Sequence, residues 1–585
     1  MAETIIAPGV YTRENDVSFI QPAAVEAGAA IIGPTVKGPV ELPTIVTSYN
    51  EYAKTFGVTF ESGSTNYEFL TSLAVKNYFQ QGGNSVLVTR VVSGSFTSAT
   101  STRVTSSIGA NPFVLETIGK GVLFNNSTGA TDGGAQNSDS SLVSGSVDNL
   151  RWEVSNVDNG QGTFSLSIRR GDDSLKSKVV LETWNNISLD PNASNYIEKA
   201  IGNQSHTLVT GADGTYIRTS GSYKNNSNYV RVSAVNTTTL NYIGTDGISV
   251  NTDSDNISYS ASLPVVSSGS FYGATGKAYN DSATGSAGRY FSNINDTNTQ
   301  GLVAANYTNV IDLLANAEEY LFNVITAPGL IYGNASHITP IDNLVSLVET
   351  RKDAIFVVDL VNYGSTVAQV STQAASLNSN YAATYWPWVQ MQTSTGRDEY
   401  VPASVVIPGV YAFSDNSSQP WFAPAGLLRG GVTGIIQAER KVSSTQRGTL
   451  YTGKINPIAT FPGQGIAVFG QKTLQTKASA LDRVNVRRLL IELKDFIGKE
   501  ARKLVFEQNT VKTRKRFKSI VDPYLDSVVQ REGLYTYRVI MDETNNTPDV
   551  IDRNQMIGKI VIQPARTAEF ILLDFTIEPT GTTFS

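Results

Sequence analysis

The spacing of apolar positions changes character along this chain. Residues 29–32 form a continuous apolar run, the pattern of a strand buried on both faces. In residues 68–80, Phe69, Leu70, Leu73, Val75, Tyr78 and Phe79 fall mostly three and four apart, which predicts an amphipathic helix ending at Gly82 and Gly83. Residues 85–92 return to a strand pattern. From 93 to about 301, Ser, Thr, Asn, Gly and Asp dominate, and apolar residues come in short alternating bursts at 151–154, 164–168, 229–235 and 241–250. Those bursts predict a β-rich insertion of one or two subdomains, with long loops such as 128–141 and one helical island at 195–201. After 302 an alternating rhythm resumes: strand 320–326, helix 340–350, strand 354–360, helix 365–377, strand 385–391. Five strands with helices between them predict a mixed or parallel sheet, split in sequence by the insertion.

A last unit begins near Lys441. Leu481, Val484, Leu489, Leu490, Leu493, Ile497, Leu504 and Val505 keep helical spacing, and a second helix runs through Phe517, Ile520, Val521, Tyr524, Leu525, Val528 and Val529. Gly533 suits the C′ position of that helix. Residues 534–541, 557–562 and 568–577 are β-prone. The expected division is an arm at 1–22, a discontinuous α/β domain at 23–92 and 302–440, the insertion at 93–301, and a C-terminal domain at 441–585. The fold class is multidomain, α/β with α+β parts.

Composition narrows the chemistry. With no cysteine among 585 residues, disulfides, thiolate metal sites and thiol catalysis drop out. The two histidines, His206 and His337, lie in unrelated contexts, so neither an imidazole metal site nor a serine triad is expected. The run from Gly448 to Lys454 has P-loop spacing, but Ile455 stands where a hydroxyl would meet magnesium. Gly463, Gly465 and Gly470 fit a dinucleotide loop poorly. Asp353 and Asp359 read as strand-end and loop residues, and the aromatic cluster at 385–388 as a core patch. No catalytic site, cofactor or metal is expected. The first residues lack a signal peptide's pattern and no apolar run reaches membrane-spanning length, so the expected place of synthesis is a cytoplasm, without membrane insertion.

Charge is unevenly placed. The formal net charge is -6. Between Gln471 and Ile520, however, fourteen Lys and Arg face five Asp and Glu, which leaves the rest of the chain strongly acidic. Such asymmetry points to a cationic face aimed at an anionic partner. Interleaved aromatics are lacking there, so nucleic acid is not the expected partner. Both chain ends are β-prone and sit outside an obvious packed unit, where unpaired backbone groups need partners.

Short segments in order then become specific: APGVYTREND at 7–16, AIIGPTVKGP at 30–39, RKDAIFVVD at 351–359, YAATYWPWV at 381–389, VPAS at 401–404, PGVY at 408–411, PWFAPAG at 420–426, INPI at 455–458, VFGQKTL at 468–474, NVRRL at 485–489 and VFEQN at 505–509. Together they resemble the contractile tail sheath proteins of phages, everywhere except the insertion. One departure is Ile407, Pro408 and Gly409, where an Ala-Gly is more usual, at an expected helix start. The resemblance implies a structural subunit of stacked hexameric rings around a tail tube, meeting tube, baseplate and tail terminator proteins. It implies a place in the virion tail, assembled in the host cytoplasm. A sheath of a tailocin or related injection device is the alternative, and a β-rich adhesin a more remote one.

The resemblance also implies arms that exchange strands with neighbouring subunits. The candidates are Val10, Tyr11, Thr12, Arg13 and Glu14 at one end and Phe570, Ile571, Leu572, Leu573 and Phe575 at the other. With the terminal unit innermost, Arg483, Arg487, Arg488, Lys494, Lys499, Arg502 and Lys503 are the candidate tube-facing cations.

Overall fold

Eight strands form the main sheet of the computed structural model, which describes residues 27–62, 65–101, 104–125, 137, 139–212, 214–251, 259–277 and 294–571. Val10 to Glu14, and Leu572, Leu573 and Phe575, lie outside the described residues. The strands are β1 (Ala29–Gly33), β2 (Thr44–Val46), β3 (Val86–Arg90), β4 (Val324–Ile331), β5 (Ile355–Asp359), β6 (Ala382–Trp386), β7 (Asn456–Phe461) and β8 (Gly465–Val468). Their order is β2-β3-β1-β4-β5-β6-β7-β8. From β3 to β7 all neighbours are parallel, and antiparallel β2 and β8 end the sheet.

Parallel strands need crossovers, and crossovers place helices on both faces. Five helices serve here: α1 (Leu70–Gln80), α2 (Ile338–Arg351), α3 (Val367–Ser376), α4 (Ile407–Ser417) and α5 (Ser444–Thr452). Alternate residues of β1 divide between two cores, Ala30 and Ile32 with α2 and α3, Ala29 and Ile31 with α1 and α4. Every residue of β1, β3, β4, β5 and β6 is therefore buried. α4 lies close on α1: a Cβ on Gly409 would come within 2.5 Å of Asn77 Oδ1. The Pro408 departure is harmless, because a helix's first turn needs no proline N–H.

In and around the main sheet three expectations shift. β4 begins at Val324 rather than 320 and runs on through Pro328 and Gly329, where the register with β5 breaks. Gly329 adopts φ +98, and Thr299 and Gln300 side chains donate to the Gly329 and Pro328 carbonyls there. The single strand expected at 385–391 is two. β6 stops at Trp386, and residues Val389–Gln392 join a separate antiparallel sheet with Asp398–Val401 and Ile435–Ala438. Pro387 has no N–H to continue the ladder. Finally, β7 and β8 extend the main sheet, although the sequence division put them in the last unit.

Besides a two-stranded hairpin, Ser205–Gly211 with Gly214–Ser220, the insertion builds two larger antiparallel sheets, one containing Leu150–Asp158, Thr163–Arg170, Val180–Ser188 and Ser267–Ser270, the other Ser98–Thr100, Phe113–Lys120 and Val230–Val235. They share one core, with Phe113 stacked on Phe164 at 5.6 Å. Residues 241–250, expected as a strand, contain only the Ile243–Val250 bridge.

The last unit comprises α6 (Val484–Arg502), α7 (Val511–Gln530), β9 (Leu534–Ile540) and β10 (Lys559–Pro564). Leu489 and Leu493 of α6 meet Phe517, Val521, Leu525 and Val528 of α7 over Trp421. α7 ends with Gly533 N–H donating to Val528 O and Glu532 N–H to Val529 O. That pattern is a Schellman cap with Glu532 at C′, in the left-handed region at φ +62. Gly533 is thus at C″, one residue beyond its expected place. Its missing side chain matters for packing, since a Cβ would meet Val528 at 2.6 Å and Trp421 at 3.1 Å.

Candidate functional site

Helix α6 carries most of the candidate cations, and its two ends differ. The first turns are inserted: Val484 and Ile491 belong to the core of the main sheet. Arg487 and Arg488 go in with them and are 3% and 5% exposed. The Arg487 guanidinium lies 3.9 Å from the centre of the Tyr381 ring, and its Nε donates to Asn380 O at 3.0 Å. Arg488 packs over Tyr411 and donates to the Asp415 carboxylate. A planar, weakly hydrated cation suits a ring face and a carboxylate in such a place. These two residues are corrections to the candidate list, being bolts of the C-terminal unit to the sheet rather than surface charges.

The remaining cations keep their exposure. Lys494 lies 3.3 Å from the Tyr381 hydroxyl, Lys499 pairs with Asp495 at 2.6 Å, and Lys503 pairs with Glu500 at 2.6 Å. These three and Arg502 are exposed along the outer half of α6.

Arg483, just before α6, is engaged by the chain's own C-terminal segment. Its Nε and Nη2 donate to the Glu569 carboxylate at 2.7 and 3.0 Å. Gln471 Nε2 donates to Glu569 at 3.0 Å, and the Tyr451 hydroxyl also donates to it. Burial alone would raise the Glu569 carboxyl, but these donors outweigh it and hold it below the usual range. Lys472 caps the Tyr451 ring at 4.0 Å, and Phe570 meets its edge. Residues 565–571 are therefore held by their own chain but form no strand, contrary to the β pattern expected from 568. Phe570 and Ile571 emerge from this clasp at 83% and 79% exposure.

Under the clasp lies a cleft of about 980 Å³, walled by Phe422, Tyr451, Phe469, Leu534 and Tyr535 among others. Beside it, β9 and β10 form a two-stranded antiparallel sheet. Among the described residues each strand has a partner on one side only, so two backbone edges stay unpaired. A free edge is a template for an added strand.

Other motifs resolve simply. Gly448 sits inside α5, so the P-loop-like run is not a loop. The Lys454 ammonium donates to the carbonyls of Leu377 and Leu474. Gly463 and Gly465 make the β7–β8 turn with φ +73 and +83. Tyr385, Trp386 and Trp388 are buried, as a core patch should be, with Trp388 Nε1 donating to Val361 O at 3.0 Å. Arg351 clamps Asp353, whereas Asp359 is buried and receives both the N–H and the hydroxyl of Ser404. Among the described residues no helix is long and apolar enough to cross a membrane.

Sequence reasoning missed Glu569, whose partners lie 86 to 118 residues away and leave no local signature. It also missed Phe506, counting its neighbour Val505 toward a helical stripe, whereas the helix stops at Arg502. A Phe beside six polar residues of seven that follow was the available signal.

Residues 301–474 match the family model described as the phage tail sheath protein central domain, and residues 476–578 the phage tail sheath C-terminal domain. The tail sheath protein of Vibrio phage KVP40 is 39% identical over 216 residues, 37% of this chain and 31% of that one. The tail sheath protein of Enterobacteria phage T4 is 36% identical over 246 residues, 42% of this chain and 37% of that one. The matches thus span about a third of the length of these curated relatives. A sheath tail protein from Listeria innocua shares the fold, with a TM-score of 0.52 over 92% of this chain and 96% of that one at 12% identity.

Proposed function

We propose that this chain is a structural subunit of a contractile tail, a reading supported by the two phage tail sheath models that match residues 301–474 and 476–578 and by its similarity to phage tail sheath proteins. In this reading subunits stack as hexameric rings around the tail tube, in the virion tail after assembly in the host cytoplasm. They meet the baseplate and tail terminator at the ends and shorten to drive the tube through the host envelope. No catalytic step is assigned to it. The observation that carries the reading is the β9–β10 sheet with its two unpaired edges, beside the point where Phe570 and Ile571 leave the clasp.

Those edges support strand exchange. A neighbour's arm, with Val10, Tyr11, Thr12, Arg13 and Glu14, would add along one edge, and the segment Phe570 to Phe575 of another copy along the other. Each added backbone hydrogen bond contributes roughly 0.5–1.5 kcal/mol net, so a five-residue strand tethers without fusing. Head-to-tail exchange of this kind does not close on itself and propagates a helix. Toward the tube, the exposed Lys494, Lys499, Arg502 and Lys503 would supply weak contacts of about 0–1 kcal/mol each, which permit sliding.

Negative-stain electron microscopy of the full-length protein beside a version lacking residues 1–20 tests this. Ring stacks or tubes from the full-length chain, lost on truncation, are expected. Separate globular particles in both samples, even with tail tubes added as template, would overturn it.

A further inference from the structure

The turn between α6 and α7 holds the least protected aromatic side chain among the described residues. Phe506 is fully exposed and Val505 is 60% exposed beside it. Phe506 also sits in the left-handed region, at φ +69. A bulky residue there is strained, and no packing inside the chain compensates for it. Asn or Gly would hold the same turn at lower cost.

The surroundings say what kind of surface would take this side chain. From Lys499 to Lys518 there are eight basic residues against Glu500 and Glu507. Arg514 is buried, while Arg502, Lys512, Lys515 and Arg516 are exposed and have no acidic partner among the described residues. We propose that this turn is an anchor, in which Phe506 and Val505 enter an apolar socket on an acidic protein while the surrounding cations meet its rim.

A second copy of this chain is a poor host. Its cleft under the clasp carries Arg429, Arg447 and Arg566 in its wall against Glu532 and a Glu569 already held by Arg483, so it is not an acidic socket. The cations around Phe506 would meet more arginines than carboxylates there. The turn cannot reach that cleft in its own chain either, because α6 separates them by about 28 Å at 1.5 Å per residue. Single-stranded nucleic acid asks for successive stacking rings, and here one ring stands alone. The anchor continues the outer cations of α6, so the partner it fits is the tail tube. The inference rests on the tube contact proposed above.

The test compares wild type with Phe506→Asn and Phe506→Gly, which keep the turn and remove the ring. Each full-length protein is sedimented with purified tail tubes of the same virus at two salt concentrations, with duplex DNA and anionic vesicles as parallel probes. We expect both variants to match or exceed the wild-type melting temperature and to bind tubes at least tenfold more weakly. Doubling the salt should weaken wild type further. Equal tube binding by wild type and Phe506→Asn overturns the anchor while leaving the tube contact standing. No tube binding by wild type overturns the tube contact itself, and the anchor with it. Ring-dependent binding to DNA or vesicles but not to tubes overturns the choice of partner.

Discussion

Arg488 rests its guanidinium 4.7 Å from the centre of the Tyr411 ring and donates to the carboxylate of Asp415, one turn further along the same helix. One side chain of α6 thus grips two consecutive turns of α4. Breaking such a pair leaves a carboxylate without its partner in a partly dry site. Arg488→Ala should cost about 2–4 kcal/mol, toward the low end because Asp415 is a quarter exposed. A lower thermal midpoint of the unassembled chain is the readout. By contrast, Lys494→Glu with Lys499→Glu should leave that midpoint nearly unchanged and weaken tube binding alone.

The Glu569 clasp titrates. Its folded carboxyl is held below the ordinary value of 4.5, so the stabilisation is present above that pH and is lost as pH falls through the folded value. Amide exchange at Ala565, whose N–H donates to Gly533 O at the root of the clasp, should be slow at pH 7 and should quicken relative to the core as the solution is acidified below about 4.5. Arg483→Ala should give the fast pattern at pH 7. Equal protection in wild type and variant would show that Glu569 does not hold the segment.

Asp359 behaves in the opposite sense. Burial raises its carboxyl to about 7, against which the two bonds from Ser404 work. An acid raised on folding is neutral in the native state while the unfolded chain ionises, so between about pH 4 and 7 stability falls as pH rises. Asp359→Asn removes the titration. Its advantage over wild type should grow across that window and level off above it, reaching a few kcal/mol on the scale of about 1.4 kcal/mol per pH unit. Parallel stability curves for the two proteins would refute the assignment.

Gly533→Ala should destabilise the C-terminal unit by about 1–3 kcal/mol, because the new methyl group meets Val528 and the Trp421 ring in a packed site. Tryptophan fluorescence during denaturation follows this directly. Ala in place of Gly448, inside α5 with open space around it, should be neutral or mildly stabilising.

Local patterns carried much of the fold. α2 and α3 appear within two residues of their apolar periodicity, and β1, β3 and β5 within two residues of theirs. The failures have nonlocal causes. Arg487 and Arg488 look like surface cations in sequence because Asn380 and Asp415 stand 107 and 73 residues earlier. β4 runs past the expected end at 326 because Thr299 and Gln300, arriving from the end of the insertion, bond the carbonyls of Gly329 and Pro328. For the candidate interface, charge asymmetry located the helix but could not tell which of its turns were buried.

The main sheet is finished at both margins by short antiparallel strands, three residues on one side and four on the other, whereas the β9–β10 sheet is not. Under the proposed strand exchange the chain would act as a monomer with valence two, each edge of the β9–β10 sheet taking one neighbour. Growth of such a polymer can be arrested stoichiometrically. A free peptide that occupies one edge would act as a chain terminator, shortening every filament without unfolding a single subunit.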